Sequence, residues 1–283
     1  MAIVPRERAT VPGAESSHAA HEPLTLKERY KSVKARIVTA AKRAGVSPEG
    51  IVLVAVTKYA AIDQVRELIE LGHADLGESQ MQNLLQRAAQ IEEFLQRHRQ
   101  LASPKGSHVP KQVRWHMIGH LQRNKVRKVL GIARLIHSVD SLRLAEEIQA
   151  ASTKLEEPVE VLIEVNISGE KSKFGVAPAA TRHLIDQMDT MMNIRVRGLM
   201  CMGPIADDPK NPRNIRPVFE RGRELMEDIR RSGVAGERFE ILSMGMSGDF
   251  ETAIECGANM VRVGTAIFGP GGGEDAGQEE AAQ

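Results

Sequence analysis

Short apolar segments rich in β-branched residues alternate with longer segments of helical period along most of the chain. This alternation is typical of parallel β/α units, because each crossover helix returns the chain to the same end of a sheet. The strand candidates are residues 51–57, 74–77, 113–119, 134–139, 159–167, 194–200, 239–243 and 260–264. The pattern therefore predicts eight strands within about 250 residues.

Segments of helical period lie before the first of these strands and between the others. An opening helix is indicated at 27–43, because the cap-like Thr25 precedes it and Gly45 follows it. The other helix candidates are residues 61–71, 79–100, 122–131, 141–156, 178–191, 214–232 and 248–256. Eight strands alternating with helices favour an α/β fold of the (β/α)8 TIM-barrel type, with an open doubly wound sheet as the alternative.

Both ends of the chain and two inserts depart from this alternation. Residues 1–23 are rich in Ala, Pro and Ser, and residues 271–283 are rich in Gly and acidic residues. These compositions predict a disordered N-terminal extension and a flexible acidic tail, with one barrel domain at 24–270 between them. Residues 97–112 and 202–217 contain Pro together with charged residues, which predicts surface loops.

Composition and charge place the chain among ordinary globular proteins. It has 283 residues, of which 42% are hydrophobic and only 3% aromatic, so a core must be built mainly from aliphatic side chains. Its 38 basic and 37 acidic residues remove the usual electrostatic argument for a nucleic-acid or membrane-surface partner. With two cysteines and no apolar run of about 20 residues, we expect a cytoplasmic protein.

Lys58 is the first candidate for chemistry. The apolar run VLVAVTK leads from the first predicted strand directly into this lysine. Active sites of TIM barrels lie at the carboxyl ends of the strands. A partly desolvated amine at that position is suited to capturing a carbonyl group as a Schiff base. The alternative is a lysine that simply extends from a strand end to water.

The last two predicted strands are followed by small polar residues that suit an anion. Residues 243–248 form a loop with two serines and two glycines before a helix, and Gly264 and Thr265 follow the final strand. Backbone amides and hydroxyls of this kind bind phosphate, and TIM barrels often hold phosphate after strands seven and eight. Each loop alone could be an ordinary turn. Together with Lys58 they suggest pyridoxal 5'-phosphate, which needs an amine and an anion site.

Several motifs resemble the family of pyridoxal phosphate homeostasis proteins. They are, in order, VLVAVTK, LGE, VRWHMIGHLQRNK, VLIEVNISGEKSKFG, VRGLMCM, LSMGMSGDFETAI and MVRVGTAIFG, and they span about residues 24–269. The resemblance implies a single pyridoxal-phosphate-binding barrel like the N-terminal domain of alanine racemase, known as fold type III. It also implies pyridoxal 5'-phosphate as cofactor and a role in vitamin B6 homeostasis.

The resemblance assigns residues to this cofactor. Lys58 matches the lysine that forms the Schiff base, and Arg262 matches the arginine that faces the pyridine nitrogen. An always-charged guanidinium there disfavours protonation of that nitrogen and weakens the ring as an electron sink. The positions that match the phosphate contacts are Ser247 with the backbone of Met246 on one side and Gly264 with Thr265 on the other.

Two further cofactor candidates come from strand ends. The family usually reads Gly-Glu-Asn-Tyr after its second strand, whereas this chain reads Gly-Glu-Ser-Gln at 77–80, so Ser79 replaces the asparagine near the cofactor. Asn166 ends the fifth strand and either reaches the barrel mouth or satisfies the backbone of the next loop. Lys173 is a secondary candidate. No metal site is expected, because His116 and His120 lack the glutamate of HExxH.

Three functions follow from these observations. The leading one is a carrier that holds pyridoxal phosphate and delivers it to recipient apo-enzymes, as a monomer or weak dimer, without turnover of its own. The second is an amino-acid racemase, but that class carries a C-terminal β-domain with a second base, whereas only a Gly-rich acidic tail follows Phe268. The third is a regulatory module that binds a partner protein through the basic run 123–128.

Overall fold

A computed structural model of the chain describes residues 24–101, 108–170, 174–203 and 215–270. The predicted extension at 1–23, the predicted tail at 271–283 and Lys173 lie outside the described residues, as does most of the predicted loop at 202–217. The boundaries of the barrel domain therefore stay a prediction.

The strands of the described residues form one closed barrel. Each strand pairs in parallel with the next one in the chain, and the last pairs with the first. The strands are β1 Val52–Val56, β2 Asp75–Glu78, β3 Arg114–Met117, β4 Ala133–Val139, β5 Val159–Val165, β6 Ile194–Cys201, β7 Ile241–Ser243 and β8 Met260–Val263. This closure confirms the predicted TIM barrel over the open sheet.

Helices follow the strands as the periodicity predicts. In the described residues they are α1 Leu26–Ala44, α2 Ile62–Glu70, α3 Met81–Leu101, α4 Val126–Val129, α5 Leu142–Ala151, α6 Pro178–Asp189, α7 Arg216–Ser232, α8 Phe250–Glu255 and α9 Thr265–Phe268, with short 3-10 turns at Pro48–Gly50 and Arg123–Lys125. Helix α1 begins as predicted, because Thr25 and Glu28 form a reciprocal capping box. It ends at Gly45, whose φ of 71° is left-handed.

Two predicted segments differ from the structure, and one helix was not predicted. The predicted loop at 97–112 begins too early, because residues 97–101 belong to α3, in agreement with the overlapping helix prediction at 79–100; the ion pair between Arg97 and Glu93, one helical turn apart, supports the continued helix. The predicted helix at 122–131 is only a 3-10 turn followed by the single turn α4. Helix α9 was not predicted, since four residues are too few to show a helical period.

The core has two parts. Most buried apolar side chains lie between the strands and the surrounding helices. A separate small cluster takes one residue from each of five strands and therefore fills the inside of the barrel: Val54, Leu135, Leu162, Met200 and Met260. No helix in the described part of the chain has the length and apolar character needed to cross a membrane.

Candidate functional site

Lys58 lies at the carboxyl end of the barrel, two residues after β1. Pairing of β1 with β8, with Val54 opposite Arg262, brings this end of β1 beside the end of β8. The side chain of Lys58 is exposed, and its Nζ lies 4.6 Å from the ring centroid of Tyr59. The side chain of Lys58 is therefore not partly desolvated as expected. Its position at the carboxyl ends of the strands agrees with the prediction.

A buried carboxyl group lies next to the end of β1. Glu78 is fully buried; its Oε1 accepts a hydrogen bond from the hydroxyl of Thr57 at 2.6 Å and forms an ion pair with Nε of Arg87 at 2.9 Å. Its Oε2 has no hydrogen-bond partner among the described residues. Burial raises the pKa of Glu78, while Thr57, Arg87 and the charge of Lys58 act in the opposite direction.

An anion-binding arrangement lies where the loops after β7 and β8 meet. The backbone N–H groups of Gly264 and Ala266 both donate to the hydroxyl oxygen of Ser247, at 3.2 and 3.3 Å. Both amides therefore point at the hydroxyl of Ser247, at the start of α9 and beside the end of β1. Thr265 is exposed next to them. Such convergence of amide and hydroxyl groups is typical of phosphate sites.

The backbone N–H of Met246, which the resemblance assigns to the phosphate, forms a hydrogen bond within its own loop. Its N–H donates to Oδ1 of Asp249, three residues further along the same loop. Burial raises the pKa of Asp249, and the Met246 hydrogen bond and Arg262 act in the opposite direction. A phosphate contact with the amide of Met246 stays a prediction, and it would require the Asp249 carboxylate to release that amide.

Arg262 is buried inside the barrel rather than exposed at its rim. Its NH1 donates to Oγ of Ser243 at 2.7 Å, and its NH2 donates to the carbonyl oxygen of Cys201 at 3.2 Å. Ser243 is the last residue of β7, in agreement with the predicted strand at 239–243, and its hydroxyl accepts from Arg262 instead of serving the predicted anion loop at 243–248. Burial lowers the pKa of Arg262, but a guanidinium keeps its charge in proteins.

A second buried carboxyl group faces this region from β5. Burial, followed by the charge of Asp140, raises the pKa of Glu164 to about 7, while Arg262 acts in the opposite direction. Glu164 is two residues beyond Leu162, so alternation along the strand turns both toward the barrel interior. The sequence analysis missed Glu164, although a carboxylate at an inward position of an apolar strand was a readable signal.

Ser79 and Asn166 lie at the strand ends where the sequence predicts them. The backbone of Ser79 packs so closely on Gly119 that a Cβ there would come within 2.2 Å of the Ser79 carbonyl oxygen. The amide of Asn166 donates to the carbonyl of Glu170 at 2.8 Å and accepts from the N–H of Gly169 at 3.0 Å. The sequence left two roles open for Asn166, and the structure shows that its side chain satisfies the backbone of the following loop. Contacts of Ser79 or Asn166 with a cofactor stay predictions.

The two histidines of the WHMIGH motif lie apart. His116 is buried in β3 and contacts His137, whereas His120 stacks on Phe174 with ring centroids 4.4 Å apart. In the described residues no group of histidine, cysteine and carboxylate side chains has an arrangement that would hold a metal ion. The sequence did not reveal the pairing of His116 with His137, because the two residues are 21 positions apart.

Comparisons with known proteins match nearly the whole described chain. A family model described as "Alanine racemase, N-terminal domain" matches residues 29–271. A pyridoxal phosphate homeostasis protein from Aquifex aeolicus is 38% identical over 243 residues, which are 86% of this chain and 96% of that protein. The human pyridoxal phosphate homeostasis protein is 32% identical over 223 residues, which are 77% of this chain and 75% of that protein.

Two solved structures have a similar fold over most of this chain. The structure of PipY from Synechococcus elongatus with PLP bound has a TM-score of 0.69 and 26% identity, and the match covers 87% of this chain and all of PipY. An alanine racemase from Clostridium difficile has a TM-score of 0.63 at 16% identity, and the match covers 88% of this chain and 58% of that enzyme. At 16% identity the likeness to the racemase concerns the fold alone.

Proposed function

Because the chain belongs to the family of pyridoxal phosphate homeostasis proteins, which share the fold of the alanine racemase N-terminal domain, we propose that it binds pyridoxal 5'-phosphate and takes part in pyridoxal phosphate homeostasis. It would hold the cofactor and deliver it to apo-enzymes. The observation that carries this proposal is the convergence of Ser247, Gly264 and Ala266 beside the strand that leads into Lys58.

The residues of the site fit the cofactor group by group. The hydroxyl of Ser247 and the amides of Gly264 and Ala266 would hold the phosphate, since all three can donate hydrogen bonds to its oxygens once the two amides release the Ser247 oxygen that they contact. The exposed amine of Lys58 would meet the aldehyde. Arg262 would face the ring nitrogen with N–H donors, because Ser243 and Cys201 engage only two of its five.

Pyridoxal phosphate, when bound, supplies an aldehyde that condenses with a primary amine and a ring that can accept electrons. Side chains of the protein would limit the ability of this ring to accept electrons. The guanidinium of Arg262 would donate a hydrogen bond to the ring nitrogen without giving up its proton, so that nitrogen would stay unprotonated. Nearby, the carboxyl of Glu164 would carry a proton for part of the time near neutral pH. The unprotonated ring nitrogen, rather than Glu164, is what favours retention of the cofactor over chemistry on an amino acid.

The phosphate contact can be tested by comparing two forms of the cofactor. Ser247→Ala should weaken binding of pyridoxal 5'-phosphate by roughly 10-fold or more, because a hydrogen bond to a charged group contributes about 1.5–3 kcal/mol. Binding of pyridoxal, which lacks the phosphate, should change little. The measurement is a titration followed by visible absorbance.

Gly236→Ala is the control, since Gly236 is exposed in the turn before β7, outside the phosphate loop, and a Cβ there would meet no atom within 4 Å. It should bind both compounds as the unaltered protein does. Equal losses for both compounds in Ser247→Ala would contradict the phosphate assignment, and an unaltered protein without a visible band would contradict the proposed function itself.

We also propose that the protein turns over no substrate of its own. Loaded protein mixed with L-alanine in deuterated water should leave the α-proton signal unchanged in time-resolved NMR. A genuine alanine racemase supplied as a reference should exchange that proton rapidly. Exchange with formation of D-alanine at an enzymatic rate would make the racemase alternative correct.

A cytoplasmic setting and the recipient apo-enzymes are part of the same proposal. Both cysteines of the chain, Cys201 and Cys256, are free and buried, as expected for a reducing compartment. Cofactor delivery would be measured as the rate at which an apo-enzyme gains activity from the loaded protein, compared with the same concentration of free cofactor.

A further inference from the structure

Polar side chains occupy the inside of the barrel above its apolar layer. Leu135 and Met260 belong to the inner apolar cluster, and the residues two positions further along the same strands are His137 and Arg262. Side chains two apart in a strand point to the same face, so these polar groups also point inward. His137 is fully buried, and Arg262 is almost fully buried.

These groups are joined by hydrogen bonds across the barrel. Oγ of Ser243, which holds Arg262, lies 3.4 Å from Nδ1 of His137. Nε2 of His137 lies 3.0 Å from Nδ1 of His116. Nε2 of His116 lies 3.2 Å from Oδ1 of Asp75 at the start of β2. We call these four residues the interior chain: Ser243, His137, His116 and Asp75.

Donor and acceptor chemistry gives the interior chain one direction. Arginine has no acceptor, so Ser243 accepts from Arg262 and is free to donate its own hydrogen to Nδ1 of His137. His137 then carries its proton on Nε2 and donates to Nδ1 of His116. By the same reasoning His116 carries its proton on Nε2.

The far end of the interior chain completes this order. Asp75 can only accept when ionised, and Nε and NH2 of Arg114 also donate to its two oxygens, at 2.6 and 2.5 Å. Hydrogen bonds to Arg114 and His116 lower the pKa of Asp75 against the effect of burial. Burial is the largest cause that lowers the pKa of His137. Every link is therefore satisfied when both imidazoles are neutral.

We propose that the interior chain positions the guanidinium of Arg262 for contact with the pyridine nitrogen of pyridoxal 5'-phosphate, an inference that rests on the proposed function. Its members do not touch the cofactor, so they are positioning residues. Because Ser243 donates its hydrogen to His137, the lone pairs of the Ser243 hydroxyl oxygen face Arg262 in one orientation. The remaining N–H donors of Arg262 are then fixed in direction before the cofactor arrives, which is how supporting hydrogen bonds commonly orient a binding group.

The first test needs no cofactor. Protein labelled with ¹⁵N in its histidine rings should show, in long-range ¹H–¹⁵N correlation spectra at pH 7, the proton of both His137 and His116 on Nε2. His137→Gln and His116→Gln assign the two rings. A proton on Nδ1, or a doubly protonated ring, at either position would overturn the interior chain.

The second test reports on the ring nitrogen itself. Pyridoxal 5'-phosphate labelled with ¹⁵N in its ring is titrated into the unaltered protein, Ser243→Ala and Ser243→Thr. Ser243→Ala should shift the ring-nitrogen resonance and weaken binding about tenfold, equal to about 1.4 kcal/mol. Ser243→Thr keeps the hydroxyl and should restore the resonance. If Ser243→Ala does not fold, His137→Gln should give the same shift.

Ser138→Ala is the matched control. Ser138 follows His137 in β4, is fully buried, and its hydroxyl has no hydrogen-bond partner among the described residues. It should leave the resonance and the affinity unchanged. A shift in Ser138→Ala equal to that in Ser243→Ala, or no shift in Ser243→Ala, would overturn the positioning role. An unaltered protein that takes up no cofactor would overturn that role together with the proposed function, whereas the histidine spectra would still report on the interior chain alone.

Discussion

Lys58→Ala should abolish covalent retention of pyridoxal 5'-phosphate. With the amine removed at the end of β1, the aldehyde has no partner at the site, and only the phosphate and ring contacts remain. Purified variant mixed with the cofactor should therefore lack the visible band of the loaded protein. After borohydride treatment, mass spectrometry should find essentially no cofactor fixed to the chain, whereas in the unaltered protein the label lies on the peptide that contains Lys58.

Two lysine variants separate this effect from a general loss of charge. Lys58→Arg keeps the positive charge at the same place but cannot form the covalent bond, and it should behave like Lys58→Ala. Lys125→Ala removes a lysine from the 3-10 turn after β3, on the same face of the barrel, and should keep the visible band. Cofactor fixed at undiminished yield in Lys58→Ala would show that another lysine is the anchor.

Gly119→Ala should destabilise the fold by about 3 kcal/mol and weaken cofactor binding with it. The added Cβ would lie 2.2 Å from the carbonyl oxygen and 2.8 Å from the Cα of Ser79. These are backbone atoms, so no flexible side chain can move aside, and the segment after β2 must shift. That segment follows Glu78 and carries Ser79, which places the distortion at the mouth of the barrel.

Urea unfolding followed by circular dichroism measures the loss of stability, and the absorbance titration measures the loss of affinity. Gly50→Ala is the control, since a Cβ at Gly50 would meet no atom within 4 Å and the residue lies in an exposed turn before β1. Its free energy of unfolding should stay within about 0.5 kcal/mol of the unaltered protein. Unchanged stability in Gly119→Ala would show that the Ser79 segment can move without cost.

Carboxyl groups with raised pKa values lie near the mouth of this barrel. Glu78 and Glu164 lie below the mouth, and burial raises the pKa of each. Asp249 accepts a hydrogen bond from the backbone N–H of Met246. Burial raises the pKa of each of these carboxyl groups, and for Glu164 it raises the pKa to about 7. The barrel interior therefore combines the permanent cation of Arg262 with carboxyl groups whose pKa values are raised by burial.

The sequence by itself determined the alternation of strands and helices, the capped opening helix and the place of Lys58 at a strand end. Each depends on local periods and on residues adjacent in the chain, which act through backbone geometry. It also indicated that the loops after β7 and β8 carry anion-binding groups. The motif resemblance identified the family, although roles of individual residues in binding stay predictions.

Only the tertiary structure decided which polar groups meet. Ser243 holds Arg262 instead of joining the anion loop, and His137 pairs with His116, because barrel closure and strand register bring inward positions of distant strands together. The amide of Ala266 joins the site through α9, a single turn too short to leave a periodic signal. Pairing across a closed barrel is a long-range property, and one strand's own residues do not reveal which side chain lies opposite.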